Sequence, residues 1–465
     1  MALKPSKTFL IEGRALLVMA LPIFIAQLAQ MGTGVVDTIM AGRYSSVDLA
    51  AIAIGYNIWL PLYLFFVGAM LATTAIVAQD YGAGRIQRIK DILPQSLWLA
   101  LLMGVIAAPL CYFAAPLLNA LDLGQETQTK TLNYIQAVAF GMPAAAVFQA
   151  LRCHTQGVGV MKPFAIASVI GFLANIPLNY AFIYGKWGAP EMGAAGCGWA
   201  TAISMWLGPV LIVLYMARAE SLKPYLPPLA FVKPRWAMLM EISRLGLPIG
   251  LTFFLEIAVF SIIGLCIARM GTTAMASHQI ALNVWDVVYM PLISIGTAMT
   301  TRIGHAIGAH DKPATLLTIR CGTAITLLVG CAIVFILESA PVLIARAYTD
   351  DSDILLMAIT LIRLAGLFIL LDAVHVIASF SLRAFKDNQF PFLVMCVAYW
   401  MLALPLGYYL GIVVADNPTD GTIGFWKGMI AGIAVASTLV LWRLRRWMRS
   451  PLPRFEDDPQ QPSFQ

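Results

Sequence analysis

Three carboxylates stand inside long apolar runs of this 465-residue chain: Asp37, Glu256 and Asp372. Glu256 lies near the centre of the stretch from Leu245 to Ala268, and Asp372 near the centre of that from Leu364 to Leu382. A charge in a hydrocarbon setting is costly and persists where it pairs, binds an ion or carries a proton. Asp37 has potential partners. Asn175 and Asn179 are spaced i, i+4 around Pro177 and share one helix face, and Pro177 frees a backbone carbonyl beside them. Thr201 adds a hydroxyl. One carboxylate with amide and hydroxyl oxygens is a donor set for a hard cation, or a hydrogen-bond network around a proton-binding acid. Each acid also has a plainer reading, a neutral carboxyl that fixes helix packing. For Asp37 an interfacial ion pair with Arg43 is a further alternative.

Other polar residues form a secondary group. His375 follows Asp372 by three residues on the same face and either relays protons or packs. Asp286 and Gln30 are further candidates within apolar runs. Arg363 reads as snorkelling toward the acidic 350–353 loop. No HExxH, P-loop, GxSxG or clustered Cys/His set is present, and the seven cysteines show no metal-like spacing. Neither enzymatic chemistry nor a cofactor is expected. With no ATP-binding motif, work must come from an ion gradient, about 2.3 kcal/mol per charge per 100 mV.

The elements that hold these groups follow from composition. The chain is 60% hydrophobic and 12% charged, against about 45–50% and about 25% in soluble domains. That excludes a soluble globular protein, and hydrophobicity this high excludes disorder. A bilayer core about 30 Å thick takes about 20 helical residues per crossing. Twelve apolar runs meet that length, at 15–40, 50–78, 93–115, 132–151, 164–184, 194–217, 238–268, 276–301, 314–337, 354–382, 390–414 and 421–442. They are continuous and not alternating, so they are helices and not barrel strands.

Lys and Arg are roughly threefold more frequent in the N-terminal segment, the even-numbered loops and the C-terminal tail than on the opposite side. The rich set includes Lys4, Lys7, Arg152, Arg302, Arg383 and Arg454. Both termini are therefore expected in the cytoplasm. The net charge of +6 reflects this topology and contact with anionic lipid, not nucleic-acid binding.

The chain also repeats itself. At an offset of about 226, Leu21-Pro22 matches Leu247-Pro248, and Asn57-Ile58-Trp59 matches Asn283-Val284-Trp285. Gln79-Asp80-Tyr81-Gly82-Ala83 likewise matches His305-Ala306-Ile307-Gly308-Ala309. Leu151-Arg152 with Leu382-Arg383 and Pro177-Leu178-Asn179-Tyr180 with Pro405-Leu406-Gly407-Tyr408 follow with small drifts. Six spans per half make the repeats parallel, related by an axis along the membrane normal. The expected architecture is all-α: twelve transmembrane helices in two six-helix bundles under a pseudo-two-fold. It divides into an N-terminal lobe (1–217), a proline-rich cytoplasmic linker (218–236), a C-terminal lobe (237–446) and a tail (447–465). Two similar bundles around a cleft suit alternating access, and point to a secondary transporter.

Several segments together resemble the multidrug and toxic compound extrusion (MATE) family in its NorM-like branch, from about Leu16 to Trp442. They are Leu21-Pro22, Val36-Asp37-Thr38-Ile39-Met40-Ala41-Gly42, Asn175-Ile176-Pro177-Leu178-Asn179-Tyr180, Gly193 through Thr201, Ser277-His278-Gln279-Ile280-Ala281, and the two Leu-Arg pairs. The resemblance implies a multi-pass protein of the bacterial inner membrane. It would export bulky, mostly cationic and aromatic drugs and dyes in exchange for H+, with Na+ as the alternative, and would work as a monomer. The implied cation-coupling residues are Asp37, Asn175, Asn179 and Thr201 in one lobe and Glu256 and Asp372 in the other. Any Na+ would sit at Asp37, Asn175 and Asn179 or at Glu256 and Asp372. Sodium-coupled relatives can carry a tyrosine one turn before the span 10 acid, where this chain has Phe368, which tilts the expectation toward protons. The rival, a lipid-linked precursor flippase of the same superfamily, calls for a cationic cavity, and the central acids argue against it.

Overall fold

The structure, a computed structural model, describes residues 5–119, 124–227 and 232–452. Lys4, part of the linker, and the tail beyond 452 with Arg454 lie outside the described residues, as does the side chain of Lys7. Among the described residues there is helix and loop but no strand.

The first half runs α1 (Pro5–Tyr44), α2 (Ser46–Gly82), α3 (Ile86–Tyr112) with the short α4 (Ala115–Asn119), α5 (Gln125–Ala139), α6 (Met142–Val158), α7 (Lys162–Tyr184) and α8 (Ala194–Arg218). The second half repeats the order. It runs α9 (Trp236–Ala268), α10 (Thr272–Gly308), α11 (Lys312–Ser339) with the short α12 (Pro341–Arg346) and α13 (Ser352–Ala384). A composite span of α14 (Gln389–Met395) and α15 (Leu404–Tyr408) follows, and then α16 (Pro418–Arg449). Wider π-helical turns at Cys396–Ala403 and Tyr409–Val413 interrupt the composite. Side-chain caps start several helices. Ser45 accepts from the amides of Val47 and Asp48, Asp351 from those of Asp353 and Ile354, and Asn417 from that of Asp420.

Among the described residues eleven spans are single runs long and apolar enough to cross a bilayer, and α5 with α6 supplies a twelfth, bent by 43°. The unbroken helix expected over 132–151 is thus corrected to a bent pair. Pro143 has no N–H to offer the Ala139 carbonyl. At Gly141 the chain presses so close to α8 that a Cβ would stand 2.6 Å from the Met205 sulfur.

Each half builds its own apolar core, but the halves exchange parts at the face that carries the N-terminus. Leu16 and Ala20 of α1 join the core of the second half, and Ile242 of α9 joins that of the first. On the same face α2 and α10 close against each other. Every residue from Ala72 to Asp80 and from Ser294 to Thr301 is buried, whereas the opposite ends of both helices expose Tyr56, Asn57, Asp286 and Val287. The closed end obeys the repeat. A Cβ at Gly82 would lie 2.0 Å from the His305 carbonyl oxygen, and one at the equivalent Gly308 would lie 2.0 Å from that of Gln79. Gln79 Nε2 donates to the Ala384 carbonyl at the end of α13 (2.7 Å), and His305 Nε2 bonds the Gly157 carbonyl at the end of α6 (2.8 Å). Equivalent residues of the two halves thus latch each other's helix ends, leaving a cleft that opens away from the N-terminal face.

Candidate functional site

In the first lobe α1, α7 and α8 converge on Asp37, which is 7% exposed. Asn179 Nδ2 donates to Asp37 Oδ1 (2.5 Å) and to Asn175 Oδ1 (2.8 Å), and Thr201 Oγ1 donates to Asp37 Oδ2 (3.2 Å). Both asparagines are fully buried. The i, i+4 spacing therefore delivers the shared face that the sequence implies, and Asp37 pairs with these groups and not with Arg43. Cys197, one turn before Thr201, also touches Asp37. Its spacing in the Gly193–Thr201 segment was the signal that could have added it. Asn179 Oδ1 and Asn175 Nδ2 have no partner, which is unusual for buried amides. With the Asn179 amide turned over, its oxygen would face Asp37 and Asn175 oxygens, an arrangement that a bound cation would hold together.

The second lobe handles its acids differently. Asp372 is 4% exposed and lies within electrostatic reach of Glu256. Glu256 is half-buried and borders a small space lined by Thr252, Cys396, Tyr399 and Trp400. Neither carboxyl accepts a hydrogen bond of normal geometry among the described residues. The Trp285 indole N–H stands beside Asp372 without completing one. The surroundings are aromatic. Trp285 stacks on Tyr289 (4.8 Å between centroids) and meets Phe368 and Phe260. Phe368, 2% exposed, offers no oxygen to Asp372. The phenols of Tyr289 and Tyr399 lie within electrostatic reach of both acids, and Arg383 within reach of Glu256.

Arg383 and its counterpart Arg152 correct a reading of the sequence. Both count toward the basic loops, yet they sit inside the fold. Arg152, 6% exposed, lies over the Phe164 ring at 3.9 Å and donates to Gln149. Arg383 lies over Phe380 at 4.0 Å. Arg302 is likewise within a helix, paired with Glu12. Arg383 follows Asp372 by eleven residues, three turns on the same face, which was the available signal. The remaining candidates do not join either cluster. His375 bonds Ser379 at 3.0 Å. Asp286 is exposed on the cleft wall within electrostatic reach of Tyr56. Gln30 is half-buried on α1. Arg363 reaches Glu338 (3.7 Å) and not the acidic loop.

Known proteins match this chain along nearly its full length. The MatE family model matches twice, over residues 22–181 and 248–409, and the two matches start at the repeat's own offset. Multidrug resistance protein MdtK of Edwardsiella ictaluri is 38% identical, covering 95% of this chain and 96% of its own length. Multidrug resistance protein NorM of Vibrio cholerae is 38% identical, covering 93% and 95%. Among solved structures, the eukaryotic MATE transporter AtDTX14 superposes with a TM-score of 0.84 at 18% identity, covering 95% of this chain and 99% of its own. The outward-facing conformation of a multidrug resistance MATE family transporter of the MOP superfamily gives 0.82 at 20%, covering 94% and 96%. With the family model matched on both halves and relatives of this identity along nearly its full length, the chain belongs to the MATE family.

Proposed function

We propose that the protein is a multidrug efflux antiporter of the bacterial inner membrane, exchanging bulky organic cations for protons. Support comes first from the relatives named multidrug resistance proteins. The single observation that carries the mechanism is the buried Asp37 network at the wall of a cleft latched shut on its basic face. The threefold excess of Lys and Arg puts that face in the cytoplasm, so this conformation faces outward. A proton entering from the periplasm neutralises Asp37, and the acids Glu256 and Asp372 take up cation in the same way. Neutral carboxyls release a cationic drug. The Gln79 and His305 latches then part, the lobes rock, and the acids lose their protons to the cytoplasm and rebind drug.

One feature favours the proton over Na+: Phe368 withholds a ligand from Asp372. A proton needs no ligand there. Cells expressing the protein should tolerate ethidium at concentrations that arrest vector controls and should accumulate less dye. Asp37→Asn and Asp372→Asn, at equal membrane abundance, should return both readings to control. Full efflux by both variants would overturn the mechanism.

A further inference from the structure

On the basic face, outside the cleft, the start of α9 and the turn between α13 and α14 border an open crevice of about 560 Å³. Arg244, Lys386 and Asn388 line it together with Glu241 and Asp387. The acids there are already satisfied. Asp387 accepts from Arg443 Nε and Trp447 Nε1 at 2.7 Å each, and Glu241 takes both oxygens to Arg88 at 2.8 Å. The cations are not. Arg244 is exposed and makes no ion pair or hydrogen bond among the described residues, while Lys386 has only a 3.5 Å contact to the shared Glu241. Burial holds the Lys386 ammonium below its usual pKa, against the pull of Glu241 and Asp80, so an added anion would stabilise its charge.

Two further observations identify what fits. Asn388 is 4% exposed, and its Nδ2 donates to the Leu245 carbonyl at 2.9 Å. That bond fixes the amide orientation, so Oδ1, which has no partner, is an acceptor held at the crevice. Arg244 also shares a helix face with Met240, Leu247 and Leu251, all exposed on the side away from α2. It lies two turns beyond the exposed Trp236, about 12 Å at 1.5 Å per residue. An arginine at that depth on a lipid-facing stripe has phosphate as its natural partner.

We propose that this crevice is a binding site for the headgroup of an anionic phospholipid, phosphatidylglycerol. Its phosphodiester is held by Arg244 and Lys386, and a glycerol hydroxyl donates to Asn388 Oδ1. An acyl chain lies along Met240, Leu247 and Leu251. A phosphatidylethanolamine headgroup would bring a third cation beside the two basic side chains, so the anionic lipid is selected. The site joins α9, which packs on the first lobe, to the α13–α14 turn of the second.

The test is native mass spectrometry of the full chain purified in detergent and stripped of lipid, with thermal unfolding alongside. Phosphatidylglycerol should be retained at one per chain and raise the unfolding temperature. Phosphatidylethanolamine and inorganic phosphate should do neither. Arg244→Gln should weaken retention about fivefold, the size of one interfacial basic side chain. Arg320→Gln, an exposed arginine on α11, should leave it unchanged. Equal retention of the two lipids, equal protection by inorganic phosphate, or equal behaviour of the two variants would each overturn the assignment.

Discussion

The two lobes share one plan but treat a buried acid in opposite ways. Asp37 is satisfied by amides and a hydroxyl from two neighbouring helices, whereas Glu256 and Asp372 face each other among aromatic rings without a completed hydrogen bond. The repeat shows how this divergence arose on a common frame. At the offset of 226 residues, Glu256 falls opposite Gln30, and Asp37 falls opposite the buried Ile263. Each lobe has placed its acid two turns away from the other's. The backbone diverges with the chemistry. The first lobe breaks its fourth span at Gly141 and keeps α7 regular, while the second keeps α13 continuous through Asp372 and widens the α14–α15 span with π turns. What has not diverged is the closed end, where Gly82 with Gln79 and Gly308 with His305 remain interchangeable. The lobes have specialised where ions and substrates bind and stayed symmetric where they must open together.

The largest expected effect tests the first-lobe network. Asn179→Ala removes both of its hydrogen bonds, one of them to a carboxylate. Bonds to charged groups contribute about 1.5–3 kcal/mol, so the apparent affinity for the coupling ion should change by about 10- to 100-fold, read as the ion dependence of ethidium transport. A change confined to drug affinity would assign the network to substrate and not to coupling. Next comes the shared gate. Gly308→Val forces a side chain toward the Gln79 carbonyl, and overpacking of this kind costs about 1–3 kcal/mol. Spin-label distances across the basic face should shift toward the open state, and Gly82→Val should shift them equally. Smaller effects follow for Gln79→Ala and His305→Ala, each removing one bond of about 1 kcal/mol. If the latch is two-fold, the two variants displace the same distance distribution by similar amounts, and a strong inequality would break the symmetry argument. The smallest effect belongs to Glu338→Gln. It cuts the exposed contact to Arg363, a kind of pair that contributes about 0–1 kcal/mol, and transport and unfolding temperature should stay at wild-type values.

Much of this was readable from residue types and spacing. Long apolar runs report spans because hydrocarbon tolerates little else, and Asn175 with Asn179 report one face because helical periodicity allows no other. The misses have physical reasons too. Pro143 resembles the prolines that other helices absorb, such as Pro177 and Pro291, and only the close approach to Met205 turns it into a break. Arg152 and Arg383 look like loop charges because a hydropathy reading cannot show that an arginine can stay inside when it lies on a phenylalanine ring. Tyr289 and Tyr399 carry no signal at all in an aromatic-rich chain. Their relation to Glu256 and Asp372 exists only once α9, α10, α13 and α14–α15 are packed.

Coupling is tested most directly with purified protein in proteoliposomes, oriented so that ethidium movement is followed while one gradient is imposed at a time. A pH gradient alone should drive ethidium against its concentration gradient, and Asp37→Asn should abolish that movement while leaving dye binding measurable. Uphill transport driven by a sodium gradient at uniform pH, with none driven by protons, would contradict proton coupling.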